Sequence, residues 1–301
     1  MERVVLTGAA GRLGASLTAE LRSQGRTVIG LDLIGVDSDP DHVVVEVSDV
    51  DRVAGLLRPD DLVVHLASVH PYSGGVSTPP AIPDETYLAL NAAGTWHLYA
   101  AAARAGVRRV ILTSSLAASA RTAGSVAPVD DSLTSQPQGI YAITKWFQEG
   151  VARSFAATHG ISTAVLRPPA FVDIHPLRTG YSLAMGTLLL EDVLTAHVAA
   201  VDAAPSILSL PGVVPVYSIA NVLPYTKSDE PLISEPDRLP LLDRYWPGAE
   251  RWFRERGFDP VSELNFAPLV VDIAPAARDL GWGPQITFGR WFESVRDSER
   301  E

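Results

Sequence analysis

The chain has 301 residues, 47% of them hydrophobic and 20% charged, an ordinary globular profile with the length to bury a substantial core. A net charge of −11 argues against a nucleic-acid-binding surface, and the lack of cysteine excludes disulfides, thiol nucleophiles and cysteine-ligated metals, so no metal site is expected. Met1 leads straight into a strand pattern without a signal peptide's apolar core, and the most apolar later stretch, Leu183 to Val201, is broken by Glu191, Asp192 and His197; a cytoplasmic protein with no membrane span is expected.

Arg3 to Thr7 is a β-branched, apolar run suited to a strand buried on both faces. It ends in Gly8-Ala9-Ala10-Gly11-Arg12-Leu13-Gly14, after which Ala15 to Leu21 reads as a helix. Strand, glycine-rich turn and helix start form the geometry that holds a pyrophosphate on backbone N–H groups. The spacing is G-x-x-G-x-x-G rather than the commonest dinucleotide fingerprint, and Gly8, Gly11, Leu13 and Gly14 are the candidate cofactor contacts. Arg12 either touches phosphate or is simply solvated. Thr27 to Leu31 is the second strand, with Asp32 at its end. An acid there accepts hydrogen bonds from an adenosine ribose and repels a 2′-phosphate, and no arginine follows it. Asp32 therefore points to NAD over NADP, the bland alternative being a turn cap.

His42 to Val47 reads as a third strand, followed by Ser48-Asp49-Val50, where Asp49 caps a helix or also faces an adenine. Leu62 to Leu66 is a fourth strand ending in Ala67-Ser68. A Pro/Gly/Ser-rich loop follows from His70 to Pro83, a length that favours function over mere connection. His70 is either a ligand contact or a solvated loop histidine. Asp84 to Ala105 reads as one long helix carrying Asn91, and Arg109 to Thr113 as the fifth strand, ending in Thr113-Ser114-Ser115. Hydroxyls at that end point into the crevice where doubly wound sheets bind ligands. Leu116 to Gln138 is a small, polar loop.

The next helix carries the chemistry. Tyr141 and Lys145 are four residues apart and share one face. A phenol has a pKa near 10, and an adjacent ammonium favours its phenolate. Lys145 is one of two lysines against twenty-two arginines, and a compact ammonium is not interchangeable with a guanidinium fork. The stripe Ile143, Phe147, Val151 and Phe155 is expected to be buried in a core or an interface. Ser162 to Arg167 is the sixth strand, stopped by Pro168-Pro169. A helix over Glu191 to Ala203, a short strand at Val216 to Ile219, and helices near Leu239–Trp252 and Ala274–Leu280 complete the pattern. Alternating strands and helices specify an α/β fold, a Rossmann-type doubly wound parallel sheet with a smaller C-terminal lobe. The expected division is 1–170 with 189–220 as the dinucleotide unit, and 171–188 with 221–301 as a substrate lobe.

In this order the pieces resemble the extended short-chain dehydrogenase/reductase family, in its NAD-dependent epimerase/dehydratase branch. The resemblance runs from about Arg3 to Ile219, with an echo at Ala277-Arg278-Asp279-Leu280-Gly281-Trp282. It rests on the glycine turn, Asp32, Asp49-Val50, His65-Leu66-Ala67-Ser68, Asn91-Ala92-Ala93-Gly94-Thr95, Thr113-Ser114-Ser115, Tyr141 to Lys145, Leu166-Arg167-Pro168 and Glu191-Asp192-Val193. What it implies is a catalytic set of Ser115, Tyr141, Lys145 and Asn91. Tyr141 transfers the proton, and Lys145 lowers its pKa and holds the nicotinamide ribose. Ser115 hydrogen-bonds the reacting oxygen, and Asn91 supports the lysine through ordered water. Val50, Leu66, Ala67, Ser68, Thr113 and Pro168 join the implied NAD contacts, and Ser68 and His70 the substrate contacts. A homodimer built on the helices of Asn91 and Tyr141 is also implied.

Departures from the pattern narrow the reaction. Ser115 is followed by Leu116-Ala117-Ala118-Ser119 without the acid that elimination needs, and Ala170 stands where many nucleotide-sugar enzymes have asparagine. The expected activity is NAD-dependent oxidation or reduction of a secondary hydroxyl or carbonyl of a small sugar, sugar acid or related alcohol. The alternatives are an epimerase that retains its NAD, and an NAD-sensing regulatory protein without turnover.

Overall fold

Short β-branched and apolar runs build one parallel sheet from β1 (Val4–Thr7), β2 (Val28–Asp32), β3 (His42–Val44), β4 (Leu62–His65), β5 (Arg109–Thr113), β6 (Ser162–Arg167) and β7 (Val216–Ser218). Their order is β3-β2-β1-β4-β5-β6-β7, and each neighbouring pair runs parallel. The computed structural model describes residues 3–37, 39–71, 82–119, 137–171, 176–264 and 267–298. Most of the loop expected from His70 to Pro83, and most of that expected from Leu116 to Gln138, lies outside them.

Helices cover both faces, as a sheet with β1 and β4 buried throughout requires. On one face α1 (Arg12–Ser23), α7 (Leu190–Ile207) and α12 (Ala274–Leu280) pack Leu17, Leu21, Val193, Ala196 and Leu280 against Val4, Leu6 and Val64. On the other, α2 (Val50–Leu56), α4 (Gly94–Ala105) and α5 (Ile140–His159) pack Val53, Leu98, Tyr99, Val151 and Phe155 against Val5, Val63 and Val110. Each fully buried large apolar side chain contributes roughly 1.5–3 kcal/mol. The expected Rossmann-type sheet is the one observed. Its strand order reverses between β1 and β4, which places the ligand crevice at the carboxyl ends of those two strands.

A separate aromatic cluster lies in the C-terminal part. It is drawn from α6 (Pro176–Ala184), α8 (Glu230–Ser234), α9 (Leu239–Tyr245), α10 (Ala249–Glu255) and α13 (Phe288–Ser298), with α11 (Pro260–Glu263) between its members Phe258 and Leu264. Tyr181, Phe253, Phe258, Phe288 and Phe292 form its centre. Asp192 fastens this part to α7, its carboxylate accepting from Gln285 N at 2.8 Å and Ile286 N at 2.9 Å. No described helix is long and apolar enough to cross a membrane.

Several elements depart from expectation. The third strand ends at Val44 rather than Val47, although Val45 N still donates to Asp32 O at 2.8 Å. The helix expected over Leu239–Trp252 is two helices, because Pro247 cannot donate a backbone hydrogen bond and Gly248 turns with φ 90°. The helix expected over Asp84–Ala105 contains a π turn at Leu88–Ala93, between α3 (Asp84–Tyr87) and α4. The stripe on α5 is divided. Val151 and Phe155 are buried, but Ile143 is 44% and Phe147 42% exposed.

Candidate active site

The glycine turn is shaped by backbone crowding at the crevice. Gly8 has φ 76°, and a Cβ there would lie 2.7 Å from Ala67 N at the end of β4. A Cβ on Gly14 would lie 2.0 Å from Gly8 O. Gly11 is the N-cap of α1 and offers no side chain to the first turn, so the positive end of the helix meets the crevice bare. Asp32 closes the turn from the β2 side. Its Oδ2 accepts from Ala10 N at 2.9 Å and its Oδ1 from Ile34 N at 3.1 Å. It thus braces the turn. These features fit a dinucleotide pyrophosphate and its adenosine ribose.

Other expected cofactor residues scatter around that frame. Leu13 is buried against the core, and Arg12 is exposed at the start of α1. Asp49 is exposed and caps α2, accepting from Arg52 N at 3.1 Å. Val50 packs on the core beneath α2. Leu66 N donates to Thr7 O at 3.1 Å and Ala67 N to Thr7 Oγ1 at 3.3 Å, so the β4 end is laced to the β1 end. Ser68 Oγ donates only weakly, to Val69 O at 3.4 Å. Pro168 is buried, and its O accepts from Leu116 N at 3.0 Å beside Ser115.

The catalytic candidates converge where α5 crosses the ends of β5 and β6. Lys145 is 3% exposed and donates from Nζ to Thr113 O at 2.9 Å. Its Nζ lies 5.8 Å from the centre of the Tyr141 ring, as the four-residue spacing requires. Ser115 caps the 3₁₀ turn Leu116–Ala118, accepting from Ala117 N at 3.2 Å, and its hydroxyl is near enough to the Tyr141 phenol to favour the ionised form. His70 sets its ring edge-on to Tyr141, 4.9 Å between centroids. Burial pushes the His70 pKa down to about 4, with Lys145 adding to the shift, so the imidazole is neutral at physiological pH. Tyr87 closes a further side, 6.4 Å from Tyr141.

The sequence expectation that Lys145 draws the phenol toward neutral pH is not met by the protein alone. Burial pushes Tyr141 up to about 12, and the nearby Ser115 hydroxyl opposes this only in part. Burial also brings Lys145 down to about 7, with Glu149 opposing. Desolvation outweighs the neighbouring charge at this separation.

Asn91 lies in the π turn, a feature that often marks functional sites. Its Oδ1 accepts from Val69 N at 2.7 Å, and its Nδ2 donates to Val69 O at 3.0 Å and Thr144 Oγ1 at 3.3 Å. The side chain therefore holds the segment leading to His70 against α5.

Beneath it runs a directed chain of hydrogen bonds. Thr95 Oγ1 donates to Asn91 O at 2.7 Å, so it must accept from His65 Nε2 at 2.9 Å and from Gln148 Nε2 at 2.7 Å. His65 Nδ1 then accepts from Thr7 Oγ1 at 2.7 Å. Thr113 Oγ1 makes a 2.8 Å bond to His197 Nε2 on α7. Residue-by-residue reading missed this lattice. It also missed the buried Glu149–Arg167 pair, whose bonds are 2.8 Å from both Nε and Nη2. A glutamate one turn beyond Lys145 was the available signal. Among the described residues no group of three or more His, Asp or Glu could hold a metal ion.

The model of the NAD-dependent epimerase/dehydratase family matches residues 4–172, which hold the glycine turn, Asp32, Ser115, Tyr141 and Lys145. The chain belongs to that family. It is 32% identical over 169 residues to the uronate dehydrogenase of Pseudomonas syringae pv. tomato, a match covering 55% of this chain and 58% of that protein. The chain spans little more than half the length of the curated relatives it matches. In fold it is similar to the uronate dehydrogenase from Agrobacterium tumefaciens, with TM-score 0.65 and 20% identity over 99% of this chain and 89% of that one. It is similarly like the UDP-N-acetylglucosamine 4-epimerase from Bacillus cereus, with TM-score 0.66 and 17% identity over 100% of each chain.

Proposed function

We propose that this family member is an NAD-dependent dehydrogenase acting on a secondary hydroxyl or carbonyl of a small sugar, sugar acid or related alcohol. The observation that carries the reading is the buried Lys145 with its Nζ 5.8 Å from the centre of the Tyr141 ring, where Ser115 follows the end of β5. The glycine turn and Asp32 would hold NAD at the β1–β4 crevice, and Lys145 would hold its nicotinamide ribose. NAD bound there supplies the hydride acceptor.

In the oxidising direction the deprotonated Tyr141 takes the substrate hydroxyl proton and becomes the phenol, while Ser115 orients the reacting oxygen toward it. The Lys145 ammonium stabilises the phenolate before the transfer, and neutral His70 offers a ring nitrogen to the substrate beside it. Asp32 favours NAD, since its carboxylate stands where a 2′-phosphate would fall. The resemblance to a uronate dehydrogenase supports a sugar acid as the first substrate to try.

The test is a panel of sugars and sugar acids followed by NADH absorbance. Turnover with at least one is expected, and Tyr141→Phe should lower kcat by about 10²–10⁴-fold while leaving NAD binding close to wild type. Near-normal kcat in that variant would move the chemistry elsewhere.

The family model itself supports the epimerase as second reading. Net accumulation of NADH separates the two, because an epimerase returns the hydride to its product. A sensor without turnover needs no lysine buried beside a tyrosine ring.

We also read residues 171–188 and 221–301 as the substrate lobe, on the strength of their own aromatic core. The exposed face of α4 and α5 is read as a homodimer surface. Leu88, Trp96, Ile143 and Phe147 line an apolar groove of about 420 Å³ there. Two-fold pairing is the common way such a face is covered.

A further inference from the structure

The Glu149–Arg167 pair takes no part in the proton transfer above, yet it ties the helix of Tyr141 and Lys145 to the end of β6 and to Ser114 beside Ser115. Glu149 is fully buried on α5, one turn beyond Lys145. Its Oε1 accepts from Arg167 Nε at 2.8 Å and from Ser114 Oγ at 2.7 Å. Its Oε2 accepts from Arg167 Nη2 at 2.8 Å and from Arg153 Nη2 at 3.4 Å. Ser114 immediately precedes Ser115, and Arg167 ends β6 immediately before Pro168. Ser114 N also donates to Leu166 O at 2.8 Å, so the ends of β5 and β6 are already joined where the carboxylate meets them.

We propose that Glu149 is a positioning residue: it supplies the counter-charge for Lys145 and, through Ser114 and Arg167, fixes the ends of β5 and β6 against the catalytic helix. The inference rests on the dehydrogenase reading for its consequence, but not for its test.

The charges around Lys145 leave this role to Glu149. From β4 and the segment after it come His65 and His70, held neutral by burial with pKa values of about 3 and 4. From its own helix comes Tyr141, neutral as well. β6 contributes Arg167, whose charge has the wrong sign. Thr113 on β5 offers only a carbonyl dipole. Glu149 is the one negative group among these, and its field raises the Lys145 pKa against the burial that lowers it to about 7. Arg167 matters because it occupies both carboxylate oxygens. A free carboxylate one turn away would draw the ammonium into a direct ion pair and off Thr113 O. Pinned by the guanidinium fork, Glu149 acts on Lys145 through space and leaves it aimed at the Tyr141 ring.

Two lysines make the test direct. In protein labelled with ¹³C at lysine Cε, Lys145 and exposed Lys227 give two resonances, and Lys227→Arg assigns them. The wild-type Lys145 signal should titrate near pH 7. Glu149→Gln should move that midpoint down by about one pH unit or more. Ser114→Ala, which keeps the charge, should leave it in place. If Glu149→Gln leaves Arg167 unpaired and does not fold, Arg167→Met keeps Glu149 and removes the opposing charge, so the Lys145 midpoint should instead rise. An unmoved midpoint in whichever variant folds overturns the proposal. The titration needs neither NAD nor substrate, so it stands even if no turnover is found. A substrate found with an unmoved midpoint would refute this role and spare the dehydrogenase reading.

Discussion

At Gly14 a single methyl group decides whether the cofactor turn can close. Alanine there would place its Cβ 2.0 Å from Gly8 O and 2.9 Å from Ala9 Cα, both backbone atoms with no freedom to yield. Gly14→Ala is expected to abolish NAD binding in a calorimetric titration, despite alanine's better helix propensity. Gly150 on α5 is the control, since a Cβ there meets nothing within 4 Å. Gly150→Ala should bind NAD normally and gain up to about 1 kcal/mol of stability. Asp32 braces Ala10 N and, in the function proposed above, also meets the adenosine ribose. Wild type should prefer NAD over NADP by about tenfold or more, since an acid there repels the 2′-phosphate. Asp32→Ala should relax that ratio and weaken NAD itself, because the turn loses its brace. Equal affinity of wild type for the two cofactors would remove the ribose assignment.

At the scale of elements, α5 carries three different faces. One bears Tyr141 and Lys145 toward the strand ends, and another buries Val151 and Phe155 beneath the sheet. The third leaves Ile143, Trp146 and Phe147 exposed at 44%, 36% and 42%, beside Leu88 at 49% and Trp96 at 46% on the neighbouring helix. Periodicity placed Ile143, Phe147, Val151 and Phe155 on one stripe, but could not say that α4 covers only its far half. Phe147→Glu is expected to give a monomer by light scattering at micromolar concentration, where the wild type gives a dimer. A monomeric wild type would dispose of this surface. The π turn at Asn91 was equally illegible, because its extra residue depends on Asn91 being held by Val69 and Thr144. The tyrosine, lysine and strand-end hydroxyl were legible because spacing on a helix and position at a strand end are local properties.

For the molecule as a whole, buried histidines link stability to acid. His65 and His197 are fully buried and neutral, with pKa values lowered by burial to about 3 and about 4 from an ordinary 6.5. The unfolded chain takes up protons on them first as pH falls. Their contribution is therefore complete above about pH 6.5 and is lost progressively toward pH 3–4, on the order of 5 kcal/mol for His65 and 3 kcal/mol for His197. Tm should fall steadily between pH 6.5 and 4. Replacing His65 by glutamine should flatten part of that slope while lowering Tm at neutral pH. A Tm independent of pH over that range would show that neither imidazole is buried as described.

The sequence by itself determined the parallel sheet, the glycine turn, Asp32 and the Tyr141–Lys145 face. Each depends on a short-range rule: burial on both faces of a strand, room for a Cβ, or a four-residue helical repeat. It also carried the family, because those local signals occur in one order. Only the tertiary structure decided the electrostatics. Burial raises the Tyr141 phenol and lowers Lys145, against the simple expectation from their proximity. It also brings Glu149, Ser114 and Arg167 from three elements onto one carboxylate. Desolvation and long-range pairing depend on what packs around a group, and no spacing along the chain encodes that.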